Sequence, residues 1–265
     1  MVPKLIRLLL EYDGSKLMGW QRQLGLPTVQ GALEAALGTV TGETVEALDV
    51  RCAGRTDAGV HALGQVVTFH TLSPKEPRRF APALNHFLPE TIRVHRAEAA
   101  PKGFSARHHS SGKTYRYCVY VGPHPSALLA HRAWHVRRRL ALPAMQEAAL
   151  RLTGSHDFES FRSAHCDAPH ARRQLHDIAV ALQEPWGQGE IVTITLRGDA
   201  FCRHMCRIIA GTLVEVGAGL RRPEQMTEVL AARSRSQAGE TAPGHGLTLM
   251  HVAYPPELAF ARGAP

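Results

Sequence analysis

Apolar residues along the chain fall in short runs that switch between two periods. Leu5-Ile6-Arg7-Leu8-Leu9-Leu10-Glu11-Tyr12 is mostly apolar and stops at Asp13-Gly14, which predicts a buried strand entering a turn. Thr28 precedes Val29, Ala32, Leu33, Ala36 and Leu37, the stripe of a half-buried helix that Thr28 caps and Gly38 ends. Val45 to Cys52 alternates loosely and predicts a strand, and Gln65 to His70 is a β-branched run that predicts another. Arg78 to Phe87 suits a short helix limited by Pro82, and Thr91 to His95 suits a closing strand. This half therefore reads β-α-β-β-α-β.

The second half begins near Ser110. Thr114 to Val121 predicts a strong strand, with a short one around Trp134. Met145, Ala148, Ala149 and Leu152 predict a helix stopped by Gly154, and strands follow at Ile178–Leu182 and Ile191–Leu196. Met205, Ile208, Ile209, Leu213 and Val216 line a long helix, Pro223 opens another, and Leu247 to Tyr254 closes with a strand. The order again reads β-α-β-β-α-β. The expectation is an α+β fold of two related ferredoxin-like (split βαβ, RRM-like) domains with antiparallel sheets, 1–107 and 108–265. One mixed α/β domain is the alternative.

Composition narrows the class. The 265 residues are 44% hydrophobic, enough for a core, and no apolar run reaches the roughly 18 residues of a membrane helix. The start, Met1-Val2-Pro3-Lys4 into Leu8-Leu9-Leu10, is too short for a signal-peptide core, so a cytoplasmic protein is expected. Five scattered cysteines argue against a disulfide scaffold. Lys and Arg number 31 against 23 Asp and Glu, a net +8 that favours a polyanionic partner, nucleic acid first.

Candidate chemistry concentrates at Arg51-Cys52-Ala53-Gly54-Arg55-Thr56-Asp57-Ala58-Gly59-Val60-His61-Ala62, between two predicted strands. Two glycines bracket one carboxylate, and no Gly-Lys-Ser/Thr follows, so the loop is not a phosphate-binding P-loop. On residue type alone, Asp57 reads as readily as a turn residue or a structural ion pair. Cys202, His204 and Cys206 raise the question of a metal, but no second ligand pair stands at zinc-site spacing, so no metal is expected.

Gly54-Arg55-Thr56-Asp57-Ala58-Gly59-Val60-His61-Ala62 closely resembles the signature of the tRNA pseudouridine synthase A family. Gly19-Trp20-Gln21-Arg22-Gln23, Thr28-Val29-Gln30, Phe104-Ser105-Ala106-Arg107 and Lys113-Thr114-Tyr115-Arg116-Tyr117 are similar to its further motifs. So, in order, are Ser160-Phe161-Arg162, Phe201 with His204-Met205 and Arg207, Val214-Glu215-Val216-Gly217, and Gly246-Leu247. Leu17-Met18 departs from the pattern, where an aromatic is more usual, and so do Arg203 and Cys206 within a helix motif.

The resemblance implies isomerisation of uridine to pseudouridine at positions 38, 39 and 40 of the tRNA anticodon stem-loop, without cofactor or metal. It implies that Asp57 is the essential carboxylate, in a cleft that the second domain completes. Tyr115 would stack on the flipped uracil near the C5 proton, and Leu247 would wall the base. Arg55 would position RNA, while Arg203, Arg207 or Arg107 would contact RNA or pair Asp57. The Arg137-Arg138-Arg139, Arg172-Arg173, Arg221-Arg222 and Lys75/Arg78-Arg79 clusters suit tRNA phosphates. The family implies a homodimer. A non-catalytic RNA-binding protein and a metal-dependent nuclease are the competing readings.

Overall fold

A computed structural model describes residues 3–260. Met1, Val2 and residues 261–265, the ends of the chain in the expected domains, lie outside the described residues. The fold is mixed α/β with six α-helices among the described residues. The described residues divide into two compact units, 3–112 with 249–260, and 113–248. The closing segment thus belongs with the first unit, which a single cut at 107/108 does not anticipate.

In the first unit β1 (Lys4–Tyr12) lies between β3 (His61–Thr71) and β4 (Ile92–Ala99), antiparallel to both. The two-residue β2 (Arg51–Cys52) pairs with β3, and β10 (Leu247–Ala253) lies on β3 as well. Alternation along β1 sends Ile6, Leu8, Leu10 and Tyr12 into the core. There they meet the apolar stripes of α1 (Val29–Thr41) and α3 (Phe80–Phe87), with Leu33, Leu37, Phe80 and Leu84 fully buried. Arg7 points the other way. Its guanidinium pairs with Glu98, donates to the carbonyls of Leu258 and Ala259, and lies over the Phe104 ring at 5.1 Å.

Two expectations need correction here. Thr28 does cap α1, its side chain accepting from Gly31 N, but the helix runs through Gly38 and ends at Gly42, whose φ is +76°. A glycine inside a helix only weakens it, whereas the left-handed C-terminal position needs one. Val45 to Cys52 is not one strand. Val45–Leu48 is a helical turn (α2) capped by Thr44, Asp49 turns left-handed at φ 42°, and only Arg51–Cys52 pairs. The Thr44 hydroxyl bonding Ala47 N outweighs the weak alternation.

In the second unit β5 (Gly112–Val121), β9 (Glu190–Gly198), β8 (Arg172–Leu182) and β7 (Gly154–Asp157) pair in that order, all antiparallel. The short β6 (Trp134–Val136) runs parallel to β5. Strand β7 escapes a pattern reading because Gly-Ser-His-Asp carries no apolar alternation. Helix α4 (Leu142–Leu150) packs on α5 (Met205–Gly217), while α6 (Gln225–Ala232) follows the Pro223 turn. Helix α5 is buried on almost every side, as its all-round apolar sequence requires. No described helix is long and apolar enough to cross a membrane.

Candidate functional site

The 53–60 loop leaves β2 and re-enters the sheet at β3, and backbone contacts hold it from both ends. Ala53 N donates to Val66 O at 2.8 Å, Trp20 N to Thr56 O at 3.0 Å, and Gly59 N to Leu17 O at 3.2 Å. Gly19 makes the close approach possible. Its φ is +87°, and a Cβ there would come within 2.6 Å of Thr56 O and 3.0 Å of the Asp57 carbonyl carbon. Gly14 presses on the other end, where a Cβ would meet Val60 O at 2.1 Å. The Gly19-Trp20 segment then hands over to α1, with Val29 N donating to Gly19 O and Gln30 N to Trp20 O.

Buried side chains lock the loop from beneath. Gln65, fully buried on β3, donates its Nε2 to Gly54 O at 2.7 Å and to the Tyr12 hydroxyl at 3.3 Å. Tyr12 Oη and Thr56 Oγ1 share a 2.8 Å hydrogen bond, so the residue next to Asp57 is fixed through its side chain. Burial pushes the Tyr12 phenol well above its ordinary value, which keeps it a neutral hydrogen-bonding group. Gln65 Oε1 is buried without a hydrogen-bond partner among the described residues. The hydrophobic period along the chain does not mark this network. Its signal was there, a glutamine opening an otherwise apolar strand run.

Asp57 itself is half-buried and its carbonyl accepts from Val60 N at 3.2 Å, closing a turn that ends at Gly59, φ +78°. Arg55 is exposed on the same loop. Arg107 is exposed elsewhere in the first unit, its carbonyl capped by Ser110 Oγ.

The other candidates lie in the second unit. Tyr115 is buried to 8% exposure on β5, its ring 5.2 Å from that of Phe201, edge to face. Leu247 is buried at the start of β10, just after Gly246, where a Cβ would strike the Tyr117 ring at 2.6 Å. Tyr117 is a core residue whose hydroxyl donates to Pro243 O at 2.8 Å. Arg207 is half-buried on α5 and tied by its Nε to Ala242 O at 2.8 Å. Arg203 is exposed at the turn before α5, with a guanidinium nitrogen donating to His165 O at 3.1 Å. The next residue, His204, sits at φ +63° and turns the chain into the helix.

Cys202 and Cys206 are buried, and burial pushes the Cys202 thiol up to about 11. Among the described residues no group of three His, Cys, Asp or Glu could hold a metal ion. The basic clusters divide. Arg137, Arg138, Arg139, Arg172 and Arg222 are exposed, whereas Arg221 is committed to Glu215 at 3.1 Å and Arg78 to Glu76 at 2.8 Å.

The loop that carries Asp57 is thus held at both ends through its backbone and from beneath through Thr56 and Gly54. Comparison with known proteins gives the chain its relatives. A family model described as tRNA pseudouridine synthase matches residues 9–108 and 148–255. A protein of Acetivibrio thermocellus called tRNA pseudouridine synthase A is 41% identical over 249 residues, 94% of this chain and 99% of its own length. Proteins of the same name from Syntrophotalea carbinolica and Brevibacillus brevis are 43% and 44% identical, each over 253 residues. Those alignments cover 96% and 95% of this chain, and 97% and 100% of the relatives. A solved structure of an unknown protein from Galdieria sulphuraria aligns at 10% identity and a TM-score of 0.23, over 81% of this chain and 92% of its own.

Proposed function

The chain belongs to the tRNA pseudouridine synthase A family, a family of isomerases, and we propose that it converts uridine to pseudouridine at positions 38, 39 and 40 of the tRNA anticodon stem-loop. In this reaction the N1–C1′ bond of uridine breaks, the uracil turns, and C5 bonds to C1′. The C5 proton leaves and N1 regains one, so atoms and electrons balance with no cofactor.

Asp57 is assigned the nucleophilic carboxylate, and the loop that clamps it is the observation that carries the reading. A carboxylate can attack C1′, assist departure through C2′ or add to the base, and all three routes need it ionised and aimed. Tyr115 is assigned to the flipped uracil and the C5 proton, and Leu247 to an apolar wall. The edge-to-face contact with Phe201 supports a fixed Tyr115 ring, which stacking on a base requires. Arg55, exposed beside Asp57, is assigned to RNA, as are Arg107 and Arg203. Arg207, half-buried on α5, is assigned to RNA as well.

The same reading takes the protein as a cytoplasmic homodimer acting on tRNA. The split βαβ kinship of the two halves is part of it. In the first unit it is supported by the β1-α1-α2-β2-β3-α3-β4 succession, with β1 between β4 and β3 and both β2 and β10 paired to β3.

Release of tritium from C5-labelled uridine in unmodified tRNA tests the assignment. Asp57→Asn should abolish release while tRNA binding stays within a few-fold of wild type. Release at the wild-type rate would contradict it. Activity lost to EDTA and restored by added metal would favour the nuclease-like reading.

A further inference from the structure

We propose that a pocket beside β6 in the second unit binds an unstacked base of the RNA substrate, one other than the reacting uridine. This rests on the reading of the protein as a tRNA-modifying enzyme. The pocket holds about 300 Å³ and is lined by four rings, Tyr120, Trp134, His135 and His245, over Leu129 and Ala133. That volume is at the small end for ligand sites, enough for one flat heterocycle and too little for a duplex groove.

The rings are held ready. Tyr120 lies against Gly122 and Gly189, where a Cβ would come within 3.0 and 2.6 Å of the phenol, so larger residues at either position would displace it. His135 pairs with Tyr120 across the β5–β6 ladder, the ring centroids 5.8 Å apart and tilted by 32°. The His135 Nε2–H donates to Gly122 O at 2.8 Å, which fixes the imidazole plane. Trp134 stands edge-on to the Tyr117 ring at 6.4 Å. Aromatic faces with little rotamer freedom to lose are the usual platform for splayed-out RNA bases.

Charge points to the same occupant. Arg132 precedes the β6 residues in the chain and Arg137-Arg138-Arg139 follows them, and all four are exposed. Exposed cations adjoining the ring-bearing strand in the chain match a base with its backbone phosphates. A second copy of this basic chain would bring the same charges to the opening, which favours RNA over self-association.

The test uses the Asp57→Asn protein, so that substrate tRNA stays unmodified, and measures its dissociation constant for that tRNA. Adding His135→Ala should weaken binding by roughly tenfold, the scale of one lost base-stacking contact. Adding His135→Phe, which keeps the ring and drops the Gly122 bond, should restore affinity to within about twofold. Binding unchanged by His135→Ala, or equal loss in both variants, overturns the proposal. So does His135→Ala altering the oligomeric state in sedimentation while leaving RNA affinity intact, since the surface is then an interface between copies. Failure of the Asp57→Asn protein itself to bind tRNA overturns both the pocket and the tRNA-modifying reading beneath it.

Discussion

Gln65 carries more than its own packing. Its amide nitrogen bridges Gly54 O and the Tyr12 hydroxyl, and Tyr12 in turn holds Thr56, the neighbour of Asp57. Gln65→Leu leaves a buried carbonyl and hydroxyl short of a partner, and should cost about 1–3 kcal/mol in urea unfolding. Because the loop is then looser, kcat should fall more than tRNA affinity; an unchanged kcat would reduce the network to plain stability. Tyr12, Tyr117 and Tyr254 are all held above their ordinary value of 10.0, burial being the main cause in each. In the unfolded chain these phenols lose their protons near pH 10 while the folded ones keep theirs, so unfolding releases protons in alkali. Stability from this source is full below pH 10 and is lost as pH rises toward the folded values. The melting temperature should drop steeply above pH 10, and Tyr12→Phe should flatten part of that drop.

Two glycines in and after α1 separate helix propensity from backbone necessity. At Gly38 a Cβ would meet only Glu43 O at 3.5 Å, ordinary contact, so Gly38→Ala should raise stability by about 0.5–1 kcal/mol. At Gly42 there is open space but φ is +76°, and Gly42→Ala should lower stability by about 1 kcal/mol. Chemical denaturation of the two variants checks both signs. The same contrast explains what could be read ahead of the structure. Strand β1, the Thr28 cap and helix α5 were legible because burial imposes a period on many residues at once. Helix α2 was not, since one Thr44 hydroxyl and one left-handed Asp49 decide it, and neither leaves a period. The polar β7 was illegible for the same reason. The Asp57 loop is a different case. Its position between strands was readable, but a carboxylate in a glycine-rich turn has too many ordinary uses, and the resemblance of its flanking motifs was what separated them. What the structure adds is why Gly14, Gly19 and Gln65 must accompany it.

Across the whole molecule the net +8 is the feature that must be reconciled with the proposed reaction, centred on one acid. Arg137, Arg138, Arg139, Arg172 and Arg222 are exposed and are the proposed contacts to phosphates, while Arg221 and Arg78 are taken by carboxylates. tRNA affinity should therefore fall by roughly a thousandfold between about 50 and 200 mM salt if six or more phosphates are engaged. Arg138→Gln with Arg139→Gln should make that dependence shallower by about one to two units of slope. Arg221→Gln, already held by Glu215, should change it little. The most direct measurement is a map of pseudouridines in unmodified tRNA before and after incubation with the wild-type protein and with Asp57→Asn. The account predicts new pseudouridine at positions 38, 39 and 40 with the wild type and none with the variant. Pseudouridine formed by Asp57→Asn at the wild-type rate, or modification by the wild type only outside the anticodon stem-loop, would contradict it.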